Sequence, residues 1–135
     1  MTEIIEIQNQ NQNADWQPFV GDETTELLRI KGITNSDGSL NQSGKNILDE
    51  TYRIMQVCGN PNDQINNETG IVIGYVQSGK TLSFTTLTAL ARDNNYQIVV
   101  VIAGTSEPLV TQSTKRLEND LRLNTLVMVN YKTDL

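Results

Sequence analysis

The chain has no histidine and a single cysteine, Cys58. The first absence removes Ser-His-Asp and Cys-His catalysis and every histidine-ligated metal site. The second removes an internal disulfide and a cysteine zinc cluster. Cys58 closes an apolar helical stripe, so a buried structural thiol is expected rather than a reactive one. No apolar run approaches the length of a membrane span, and the amino terminus, MTEIIEIQ, lacks the basic start and apolar core of a signal peptide. A cytoplasmic protein with no membrane partner is expected. Basic residues are scarce too: ten against sixteen acidic ones, net −6, which argues against a free-standing nucleic-acid-binding module. The deficit is local. Residues 1–70 hold eleven acidic and four basic residues, whereas 71–135 hold five and six.

Among the 135 residues, Gly74-Tyr75-Val76-Gln77-Ser78-Gly79-Lys80-Thr81 is the most informative stretch. It fits G-x-x-x-x-G-K-[ST], the phosphate-binding loop. Gly74 and Gly79 permit a tight turn in which successive N–H groups face phosphate oxygens. Val76, Gln77 and Ser78 form its interior. Lys80 carries a mobile positive charge toward the β- and γ-phosphates, and Thr81 offers a hydroxyl to Mg2+. A helix starting here would set its positive dipole end beneath the phosphates. Ser43-Gly44-Lys45-Asn46 is superficially alike but lacks a first glycine and a preceding strand. It reads as a helix start.

The rest of the chain is read around that loop. Residues 1–14 end in a Gln/Asn tract and read as a disordered polar leader. Residues 15–69 read as a helical segment. One helix is expected over 23–30, with Leu27, Leu28 and Ile30 as its apolar positions. A turn follows at 34–39, then a helix from about Ser43 to Val57 with Ile47, Leu48, Thr51, Ile54, Met55 and Cys58 inward. Residues 70–135 read as the start of a P-loop NTPase domain. A strand at 70–73 leads to the loop and then to a helix as far as Arg92, stopped by Asp93-Asn94-Asn95. A second strand follows over 96–103, with Ile98 to Ile102 as its apolar run. A helix from about Leu109 to Leu121 carries Val110, Ser113, Leu117 and Leu121 inward, and Leu123 opens a third strand. The expected fold class is therefore α/β: a partial, three-stranded parallel sheet of the P-loop NTPase type behind an α-helical leader.

No acidic residue closes an apolar strand as a magnesium-holding aspartate would, so the catalytic residues are unknown from this chain. Three strands also make a thin sheet. The expectation is an amino-terminal portion of something longer, able to bind nucleotide but without its own hydrolysis residues.

The run from Gly70 through the Val76-Gln77-Ser78-Gly79-Lys80-Thr81 loop, Ala103-Gly104 and Gln112-Ser113-Thr114-Lys115-Arg116-Leu117 resembles the Z-one domain, a family found in bacterial proteins classed as endonucleases. The resemblance covers about residues 47–130. It implies a superfamily-two-helicase-like, ATP-driven hydrolase acting on DNA in a restriction- or defence-type system, with ATP and Mg2+ as cofactors. It also places Thr105, Gln112 and Arg116 where such enzymes touch a nucleic-acid backbone. Donors at the carboxyl end of a strand and at a helix start would suit phosphates. Arg116 also stands four residues before Asp120, so an intrahelical ion pair accounts for it without DNA. Two alternatives keep other classes open. One is a small-molecule kinase or a GTPase, although the guanine-reading N-K-x-D motif is absent. The other is a truncated, non-catalytic piece that binds a partner.

Overall fold

A computed structural model describes residues 16–63, 72, 80–102 and 106–123. Among these, four helices form: α1 (Asp22–Ile30), α2 (Gln42–Val57), α3 (Lys80–Asp93) and α4 (Glu107–Asp120). The chain divides into two compact units, Met1–Val100 with α1 to α3 and Val101–Leu135 with α4.

In the first unit, α3 packs against both α1 and α2. Its inner face is Thr85, Thr86, Ala89, Leu90 and Ala91, all buried. Leu90 and Ala91 join Met55 of α2 in a core that Trp16, Val20, Leu87 and Tyr96 cover from the side. Leu27 and Leu28 of α1 are also fully buried, while Ile30, expected inward, is 44% exposed at the helix end. Two buried threonines on α2 and α3 make themselves compatible with an apolar interior by bonding back along their own helices. Thr51 Oγ1 donates to the Ile47 carbonyl at 2.8 Å, and Thr85 Oγ1 to that of Thr81 at 2.6 Å.

Helix starts and stops follow local chemistry. Asn41 caps α2, its Oδ1 accepting the Gly44 N–H at 3.0 Å. Gly44 lies in that first turn, buried against the Ile33 carbonyl, where any Cβ would collide. The Ser43-Gly44-Lys45 stretch is thus a helix start, as its sequence suggests. Between α1 and α2, residues 34–39 turn as expected. Thr34 and Leu40 form an isolated antiparallel bridge, and Asp37 accepts both the N–H and the hydroxyl of Ser39. The Ser39 hydroxyl, foremost, holds the Asp37 carboxyl below its ordinary range.

The parallel three-stranded sheet is not what forms. The described residues are helical and contain no strand, which overturns the α/β P-loop-type fold class for them. The test case is Ile98-Val99-Val100-Val101-Ile102. These residues form no ladder, and their side chains are 39% to 90% exposed. A β-branched run becomes a buried strand only where neighbouring strands take up its N–H and C=O groups and layers cover both faces. Neither condition is met there. Of the other two expected strands, only Val72 and Leu123 fall within the described residues, and neither is in a strand. Cys58 is a second correction. It is exposed at the α2 C-cap rather than buried, because the helix ends one residue before it. Partial desolvation nonetheless raises its thiol pKa, which keeps the thiolate scarce at neutral pH.

In the second unit, α4 starts with Ser106 at the N-cap and Pro108 in its first turn. Leu117 and Leu121 are buried, as the spacing predicts.

Candidate nucleotide site

The helix that the phosphate-binding motif calls for is present and begins at Lys80, the invariant lysine of the pattern. Lys80 and Thr81 are the first two residues of α3. The leading N–H groups of a helix have no intrahelical acceptor and point along its axis. The first turn of α3, with Lys80 and Thr81, is the positive end of a 14-residue helix dipole. Thr81 is half-buried, and its carbonyl receives the Thr85 hydroxyl, an extra bond across the first turn. Gly74, Val76, Gln77, Ser78 and Gly79 lie outside the described residues.

Among the described residues, no three His, Cys, Asp or Glu side chains gather into a metal-binding group. A magnesium ion at Thr81 would need further oxygen ligands beyond the Thr81 hydroxyl. Of the residues the motif would offer such an ion, the described one is Thr81, in the first turn of α3.

Two of the expected nucleic-acid contacts lie on α4. Gln112 and Arg116 are exposed on α4, four residues apart and so on one face of that helix. Thr105 lies outside the described residues.

What sequence reasoning missed is at the other end of α3. Asp93, read only as part of a helix stop, reaches into the start of α1. Its Oδ2 accepts the N–H groups of Gly21 and Thr24, each at 3.0 Å, and its Oδ1 accepts that of Glu23 at 3.1 Å. Asn94, 8% exposed, accepts the Phe19 N–H at 2.7 Å. Its Nδ2 donates to the carbonyls of Phe19 at 2.8 Å and Leu90 at 2.7 Å. Arg92 pairs with Glu23 at 3.0 Å across the same junction. One signal was available: α1 begins after Gly21, which has no side chain to cap it, so an acceptor had to come from elsewhere.

No family model, curated protein or solved structure matches this chain. Among the described residues, no helix is long and apolar enough to cross a membrane.

Proposed function

We propose that residues 74–81 bind Mg2+–ATP and that the chain supplies the nucleotide-binding part of a nucleic-acid-dependent ATPase of the endonuclease-associated, restriction- or defence-type class. The observation that carries the reading is the start of α3 at Lys80, which makes the motif's lysine and threonine the first two residues of a helix. The loop amides and Lys80 would bind the β- and γ-phosphates, and Thr81 would ligate the metal. Binding of that kind is electrostatic and positional, and groups outside 74–81 would have to orient the attacking water. The exposed pair Gln112 and Arg116 supports a nucleic-acid contact, since Arg and Gln on one helix face suit phosphate and sugar oxygens.

Isothermal titration with Mg2+–ATP tests the site. Lys80→Ala should abolish binding, and unchanged affinity would remove the assignment. Competition by GTP separates a guanine-nucleotide enzyme from the ATPase reading. If Arg116 touches a phosphate backbone, Arg116→Ala should weaken DNA binding about equally across sequences and lower its salt dependence by about one unit.

A further inference from the structure

The two ends of α3 have different partners. Lys80 and Thr81 open it, and Asp93 with Asn94 close it over residues 19–24. The 14 residues of α3 span about 20 Å, and the buried face between its ends, Thr85 to Ala91, is held by α1 and α2 together. Gly21 cannot cap α1, so the first N–H groups of α1 depend on the Asp93 carboxylate. Withdrawing α3 would leave those donors unpaired at a half-buried junction, at a cost typical of a lost helix cap. Trp16, the only tryptophan, packs on the core to which Leu90 and Ala91 belong, so it lies beside the same end of α3.

We propose that the Asp93–Asn94 clamp and the nucleotide end of α3 open as one unit, so that bound nucleotide holds residues 19–24 shut. The inference rests on the nucleotide reading above. Its physics is mass action on a cooperative opening. A ligand that binds only the closed form slows every opening that destroys its site, by the factor 1 + [L]/Kd, or about 100-fold at a hundred times Kd. Openings that leave the site intact are not slowed. If the clamp can release α1 while α3 stays docked, nucleotide has no leverage on it. The packing favours the coupled case, because the residues that anchor α3 to α1 and α2 lie between its two ends. By reciprocity, the clamp then contributes to nucleotide affinity. Residues 19–24 become the place where occupancy is read, and Asp93 a positioning residue for the phosphate end of its helix.

The experiment is amide hydrogen exchange at Gly21, Glu23 and Thr24 in the full chain, alone and with Mg2+–ATP at increasing multiples of a calorimetric Kd. The expected result is slowing at all three amides in proportion to ligand, loss of that slowing in Lys80→Ala, and several-fold weaker binding in Asp93→Asn, which keeps one acceptor oxygen. Calorimetric binding with unchanged exchange at these amides overturns the coupling and leaves the nucleotide site standing. Failure of Mg2+–ATP to bind overturns both.

Discussion

At the scale of single residues, two side chains hold more of the first unit than their type suggests. Asp93 is a cap supplied from 70 residues away along the chain, accepting three backbone N–H groups at 3.0–3.1 Å. Removing a cap costs about 0.5–2 kcal/mol. Asp93→Ala leaves three donors without their acceptor at once and should fall at the upper end, about 2 kcal/mol in urea denaturation, with Glu23→Gln well below about 1 kcal/mol. The Glu23–Arg92 pair is about one-third exposed on each side, and pairs of that kind contribute little. A Glu23→Gln loss equal to that of Asp93→Ala would mean that the ion pair, not the cap, fastens the junction. Tyr96 is the second such residue. Its hydroxyl donates to the Gly59 carbonyl at 2.6 Å, and burial, reinforced by neighbouring Cys58, pushes its pKa up to about 12 from about 10. The folded chain therefore keeps the phenol proton where the unfolded chain has lost it. The stability this confers is complete below about pH 10 and disappears as pH rises toward 12. The thermal midpoint of the chain should be flat in this respect from pH 8 to 10 and then decline. In Tyr96→Phe the decline should be shallower from a lower starting value. An unaltered slope would separate the decline from Tyr96.

At the scale of elements, every described helix is stopped in the same way. The residue just past each C-cap lies in the left-handed region: Gly32 (φ 66°), Gly59 (φ 81°), Asn95 (φ 63°) and Arg122 (φ 52°). For α1 the Gly32 N–H returns to Arg29 and the Ile33 N–H to Leu28. For α3, Asn95 returns to Arg92 and Tyr96 to Ala91, the same reciprocal pair of bonds. Gly32 isolates the backbone term, since a methyl group there would meet nothing within 4 Å. Gly32→Ala should therefore cost about 1 kcal/mol from the left-handed conformation alone, measured by chemical denaturation. A neutral result would show that the turn relaxes. These helices were legible in the sequence because their signals are local. The Ser43-Gly44 start of α2, the Asn94-Asn95 pair after α3 and the spacing of Leu117 and Leu121 each act within a turn or two of chain. The Asp93 cap was not legible, because a side chain joining residues 70 apart leaves no periodicity. For the candidate site, Lys80 and Thr81 were legible as a motif and a helix start. The reach of α3 toward α1 was visible only in three dimensions.

At the scale of the whole molecule, the misread feature is the apolar run at 98–102. A continuous β-branched stretch says that a segment favours extended backbone and low water contact, but not that partners exist to supply either. Here Ile98 is 79% exposed, Val100 76% and Ile102 90%. Tyr96-Gln97-Ile98-Val99-Val100-Val101-Ile102 is a seven-residue window with no charge, no proline and no glycine. That is the composition of segments that pair edge to edge between chains. The expected behaviour is concentration-dependent self-association of the 135-residue chain, seen by light scattering and by a shift to larger species in size-exclusion chromatography. Val100→Lys places a charge in the middle of the window at an exposed position. It should suppress association while leaving folding stability within about 0.5 kcal/mol, as exposed substitutions usually do. The two readouts separate the explanations. If association persists in Val100→Lys, the chains meet through another surface. If the variant instead loses stability by several kcal/mol, Val100 is buried in solution and the run has a cover after all.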